Sequence, residues 1–162
     1  MRDKISVSFS LNGRRVEVET NPNITLLDLL RRKFRITSVK RGCERGECGV
    51  CTVLINGRPM RSCLLLVPQV QGKQVITVDF LAHEGVLHPI QEAFIETGAV
   101  QCGFCTPAMI LTTKALLDVN KEPSDEEIRK AISGVLCRCT GYVKIVEAVK
   151  LSARKLSSTD LG

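Results

Sequence analysis

The sequence predicts an α+β protein: a small sheet crossed by a helix comes first, and a bundle of four helices follows. Three observations predict it. Residues 5–11 and 15–19 alternate apolar and polar around Asn12-Gly13, the pattern of a hairpin closed by a tight two-residue turn. Beyond residue 86 the alternation gives way to helical periodicity, punctuated by Pro89, Pro107 and Pro123. Eight cysteines fall into two groups of four, with none between Cys63 and Cys102.

The elements follow in order. Thr25 with Asp28 three residues on forms a short version of a capping box. Leu26, Leu29 and Leu30 continue at helical spacing, so a helix is predicted over 26–34. Residues 51–55 read as a strand ended by the turn Asn56-Gly57, and 74–78 as a last strand. Hairpin, helix, cysteine-bearing loop and strands are the order of a β-grasp sheet. In the second half, Pro89 opens a helix that Gly98 ends, and Pro107 opens another over 106–119. Ser124 and Glu127 make a capping box for a third helix to 133, and Thr140 is predicted to cap a fourth to 155. Short connections between four helices favour a four-helix bundle. The division is 1–79 for the sheet domain, 80–156 for the helical domain and 157–162 for a disordered tail, with the boundary in the segment around 79–86.

Composition narrows the function. The 162 residues carry a formal charge of +6, and 44% of them are apolar. A basic balance invites a nucleic-acid reading, but no aromatic-studded basic patch accompanies it. The alternating N-terminus lacks the apolar core of a secretory signal, and no stretch has the ~20 apolar residues of a membrane helix. The sequence therefore reads as cytoplasmic. In that compartment close-set cysteines bind metal more often than they form disulfides.

Cys43, Cys48 and Cys51 have the spacing C-x4-C-x2-C, and Cys63 follows after a strand and a turn. This matches the plant-type [2Fe–2S] ferredoxin spacing. A loop carrying three ligands must bend tightly, and Gly42, Gly46 and Gly49 supply left-handed dihedrals and close approach. Structural zinc sites instead use two separate knuckles. The second group, Cys102-x2-Cys105 and Cys137-x-Cys139, leaves zinc and iron–sulfur both open on spacing alone. Each pair precedes a predicted helix start, so two helix N-termini face one anionic site. A thioredoxin-type C-x-x-C leaves the other pair unexplained. An oxidised [2Fe–2S] centre with four thiolates carries about −2, so two of them bring the chain to about +2.

Three runs carry a resemblance: GCERGECGVCTV at 42–53, QCGFCTPAM at 101–109 and LCRCTGY at 136–142. The chain resembles the iron–sulfur subunit of the molybdenum hydroxylases, the xanthine oxidase family, which includes carbon monoxide dehydrogenases, aldehyde oxidoreductases and 4-hydroxybenzoyl-CoA reductase. The resemblance implies a first [2Fe–2S] cluster on Cys43, Cys48, Cys51 and Cys63. It implies a second on Cys102, Cys105, Cys137 and Cys139, beside the molybdopterin of a large partner subunit, with Gln101 touching the pterin. It implies that the first cluster faces FAD in a medium-sized partner, in a heterotrimer or a pair of heterotrimers. Ala108 and Val135 depart from the family's usual glycine and asparagine.

The function so implied is single-electron relay between molybdopterin and FAD, with no substrate chemistry on this chain. The alternative is a free-standing two-cluster carrier, and a zinc-stabilised interaction module is a third class. His83 and His88 read as ordinary residues between the domains, Met60 and Met109 as packing, and Glu44 and Glu47 as solvated.

Overall fold

The computed structural model describes residues 4–159. Strands β1 (Ile5–Leu11), β2 (Arg14–Thr20), β3 (Thr52–Ile55), β4 (Arg58–Arg61) and β5 (Gln74–Ile76) form one five-stranded sheet in the order β2-β1-β5-β3-β4. The β1–β2 hairpin keeps Val7 opposite Val18 and Phe9 opposite Val16. Its turn residues, Asn12 and Gly13, take φ of 49° and 78°, as a twist-matched hairpin turn requires. Asn56 and Gly57 repeat those angles between β3 and β4. β1 and β5 run parallel, while β3 pairs antiparallel with both β4 and β5.

β4 was not foreseen. Its sequence, RPMR, neither alternates nor buries a face, and Pro59 tells against a strand unless that strand lies at an edge. The edge is where it lies.

Helix α1 (Leu26–Asp28) continues as a wider turn over Leu29–Lys33, in which the Phe34 N–H reaches the Leu29 carbonyl at 3.3 Å. The Thr25 cap forms as read, its hydroxyl accepting from the Asp28 N–H at 3.1 Å. Leu26, Leu27, Leu29 and Leu30 bury against Val7, Phe9, Val53 and Val75 in the first core. The second half holds α2 (Pro89–Glu96), α3 (Thr106–Val119), α4 (Asp125–Ile132) and α5 (Tyr142–Thr159). Helix α2 lies along α5, and α3 touches α2, α4 and α5. Their apolar faces form the second core around Ile90, Phe94, Met109, Leu111, Ile128 and Ile145.

The Ser124–Glu127 capping box closes in both directions, at 2.8 Å and 3.4 Å. Thr140 does not cap α5. It takes φ of 58°, its hydroxyl donates to the Cys139 carbonyl at 2.7 Å, and the Gly141 carbonyl accepts the first helical bond from Ile145. A residue in the left-handed region lacks the extended backbone that an N-cap takes. α5 also runs to Thr159, past its expected end, and residues 160–162 of the expected tail lie outside the described residues.

The two halves are not merely tethered. Val50, Leu54 and Ile76 turn away from the first core and pack with the helices. The sheet therefore serves both cores, and the cysteine loops meet at its β3–β4 end.

Candidate metal centres

The first cysteine group lies on the loop between α1 and β3, and Cys63 returns in a single 3₁₀ turn (Ser62–Leu64) after β4. The loop is bent by left-handed residues: Glu44 at φ 55°, Gly46 at 81° and Gly49 at 68°. Glu44 is a non-glycine in that region. Nothing in its sequence position signalled this, and an ion pair with Arg41 holds its carboxylate. Of the two reasons read in the sequence, Gly42 answers to close approach alone. Its φ is not positive, but a Cβ there would stand 2.8 Å from both Cys48 Sγ and Val50 Cγ2.

Backbone N–H groups turn inward. Those of Cys48 and Arg45 reach Cys43 Sγ at 3.4 Å, and that of Cys43 reaches Cys48 Sγ at 3.4 Å. Donors aimed at sulfur stabilise a thiolate, and those of Cys48 and Arg45 bring the Cys43 thiol down to about 6. Burial and then the neighbouring Cys51 push Cys63 up to about 11. Cys63 feels Cys51 and, less strongly, Cys43, so the thiols of this group sit close enough to act on one another.

The thiols of the second group act on one another in the same way, Cys139 on Cys102 and Cys137 with Cys102 on Cys105. Cys105 occupies the N-terminal boundary of α3, and Cys137 and Cys139 lie in the turn that precedes α5. Burial, then Cys137, pushes Cys105 up to about 12, whereas the Phe104 N–H lowers Cys102. Gly103 at φ 80° bends the first pair's loop. Tyr142, which the sequence reading passed over, accepts the Cys137 N–H on its hydroxyl at 2.9 Å. Gln101 lies beside this group, its Nε2 3.4 Å from the point where a Cβ on Gly141 would stand. A space of about 410 Å³ is lined by Cys102, Cys105, Cys137, Phe104 and Tyr142, and by Cys48 of the first group.

A diiron core takes four thiolates, and each group gathers four thiols. The thiol chemistry, the inward N–H groups and the cramped glycines fit a [2Fe–2S] centre in both places.

The groups are close neighbours. The Leu136 N–H donates to the Cys48 carbonyl at 2.9 Å, so a residue adjoining Cys137 is bonded to a residue of the first group. Gly49 faces Gly134 so tightly that a Cβ would come within 1.9 Å of the Gly134 carbonyl oxygen. Arg61 Nη2 donates to that same carbonyl at 3.1 Å. Both histidines serve the backbone: the His88 Nδ1 caps α2 by accepting from Ile90, and His83 closes a turn with Val86. Ala108 and Val135 are buried in the helical core.

A two-centre iron–sulfur protein is the class that this fold and these two cysteine quartets define. Comparison with known proteins agrees. Residues 9–77 match the family described as 2Fe-2S iron-sulfur cluster binding domain, and residues 77–150 match the [2Fe-2S] binding domain. The chain is 51% identical over 156 residues to the nicotinate dehydrogenase small FeS subunit of Eubacterium barkeri, covering 96% of this chain and 99% of that one. It is 42% identical to the xanthine dehydrogenase iron-sulfur-binding subunit of Escherichia coli O157:H7, covering 91% and 93%. Quinoline 2-oxidoreductase from Pseudomonas putida 86 superimposes with a TM-score of 0.92 at 40% identity, covering 96% of this chain and 98% of that one. The aldehyde oxidoreductase of Desulfovibrio gigas gives 0.91 at 36%, with 96% of this chain matching 17% of a much longer one. The chain belongs to the iron–sulfur small subunits of the xanthine dehydrogenase-type molybdenum hydroxylases.

Proposed function

We propose that Cys43, Cys48, Cys51 and Cys63 hold one [2Fe–2S] cluster, and Cys102, Cys105, Cys137 and Cys139 a second. On this reading the subunit relays single electrons between a molybdopterin site and an FAD site on partner chains. The observation that carries it is the meeting of two cysteine quartets across one hydrogen bond from the Leu136 N–H to the Cys48 carbonyl. Bound [2Fe–2S] clusters supply one-electron oxidation and reduction. The chain's own part is to cage them rigidly, to present N–H donors to sulfur and to exclude bulk water from Cys51, Cys63 and Cys105.

Gln101, exposed beside Cys102, is assigned to the molybdopterin face. Exposed Phe104 and Val100 flank it, as an apolar docking rim would. Leu64 and Leu66, exposed near Cys63, face the opposite partner, the FAD chain. The domain division is placed at 79/80, and helices α2–α5 are read as the four-helix unit of the second cluster. The assembly is proposed as a heterotrimer, single or paired. No helix of the structure is long and apolar enough to cross a membrane among the described residues. A cytoplasmic location is proposed from the cysteine usage.

Iron analysis and paramagnetic resonance of the anaerobically purified complex test this reading. About four irons per chain and two distinct [2Fe–2S] signals are expected. Replacing Cys102 by serine is expected to remove or alter only the second signal and to slow turnover at least tenfold. Zinc in place of iron, or two unchanged signals in Cys102→Ser, sinks the assignment.

A further inference from the structure

Arg61 stands at the seam between the two thiol groups with a charge that no carboxylate answers. It ends β4 opposite Thr52, the residue after Cys51, and precedes Cys63 by two residues. Ser62 beside it donates through both its N–H and its hydroxyl to the Cys51 carbonyl, at 3.3 Å and 2.7 Å. The guanidinium reaches across the seam to the Gly134 carbonyl, on the loop that leads to Cys137. Its Nε is buried without a hydrogen-bond partner. Among the described residues, ten ion pairs form and none includes Arg61.

A guanidinium with a buried, unpartnered nitrogen is costly unless negative charge lies nearby. One neutral carbonyl is a weak answer. The cysteine quartets supply a strong one, because each cluster carries about −2 when oxidised and −3 when reduced. A fixed cation favours the more negative, reduced form, and the effect falls with distance. Arg61 lies two residues from Cys63 along the chain and, across the β3–β4 pair, opposite the residue after Cys51, and it touches the second group only through Gly134.

We propose that Arg61 is the internal counter-charge of the iron–sulfur centres and a potential-setting residue that holds the first cluster's reduction potential above the value it would otherwise have. The inference rests on the ligand assignment made above. It adds a role for a residue that is neither a ligand nor a docking contact. A purely structural Arg61, pinning Gly134 to the sheet, makes a different forecast, and two variants separate them. Arg61→Gln keeps an amide donor for the Gly134 carbonyl and removes the charge. Arg61→Lys keeps the charge and gives up the fork-shaped donor.

The experiment is a redox titration of the assembled complex, followed by the two paramagnetic signals. Arg61→Gln is expected to shift the first cluster's midpoint downward and the second by less, whereas Arg61→Lys stays near the native values. An unmoved first midpoint in Arg61→Gln overturns the proposal. So does the reverse order, with the lysine variant displaced and the glutamine variant native. If Arg61→Gln fails to hold iron, Arg61→Lys alone decides: a native midpoint supports the charge role and a lowered one refutes it. Iron content and the presence of two signals in the native complex test the ligand assignment separately, so either idea can fail without the other.

Discussion

At the scale of single residues, room and charge decide the site. Gly49 has two reasons to be glycine: φ of 68°, and a Gly134 carbonyl 1.9 Å from where a Cβ would stand. Gly57 shares the positive φ, at 78°, but has open space around it. Gly49→Ala is therefore expected to destabilise by about 3 kcal/mol or more, combining backbone strain with a backbone clash. Gly57→Ala should cost about 1 kcal/mol, from the left-handed penalty alone. Thermal melts of the two variants check this, and equal losses would remove the seam from the explanation. The eight cysteines and three loop glycines could be proposed from the sequence because cluster spacing is a sequence property. The left-handed Glu44 and the Tyr142 hydroxyl on the Cys137 N–H were not. A charged surface residue carries no local mark of a strained dihedral, and an aromatic at a helix start ordinarily signals packing.

At the scale of elements, caps and punctuation transferred well from sequence to structure. The Thr25 and Ser124 caps form as read, and Pro107 falls in the first turn of α3. Thr140 and His88 exchanged expectations: the threonine predicted to cap does not, and the histidine read as ordinary does. His88 accepts the Ile90 N–H on Nδ1 while its own N–H meets the Gln91 side chain at 2.9 Å. Burial, then the Lys114 charge, lowers its pKa from 6.5, with Asp118 opposing. A lowered folded pKa means that the unfolded chain takes the proton first. The stability contributed by neutral His88 is thus complete above pH 6.5 and is lost as pH falls through the folded value. Melting temperatures from pH 7.5 to 5 should show a slope that His88→Asn flattens, since asparagine caps without titrating. An identical slope in that variant would place the titrating group elsewhere. β4 is the element that sequence patterns could not reveal, because an exposed edge strand containing proline has no alternation to read.

At the scale of the whole molecule, the sheet is shared between two cores. Val53 and Ile55 face α1, whereas Val50, Leu54 and Ile76 join the helices. Cutting the chain near residue 80 would strip a cover from each half. Heating the holoprotein should therefore give one transition, in which far-UV helicity and the visible absorbance of the clusters vanish together. Two resolved transitions would show the halves to be independent. Removing iron with a chelator is expected to lower that single midpoint, because whatever binds the folded chain alone stabilises it. The basic excess has its counterpart at the same scale: +6 for the bare chain falls to about +2 once two dianionic clusters are counted.

By itself the sequence determined the two-part α+β plan, the grouping of eight cysteines and the tight loops around them. Those depend on local spacing, turn chemistry and periodicity, which are written along the chain. Only the tertiary structure decided that Leu136 bonds to Cys48 and that Arg61 lies unanswered between the two groups. Each of these joins residues far apart in the chain, and no local pattern encodes the distance at which two separately folded loops come to rest.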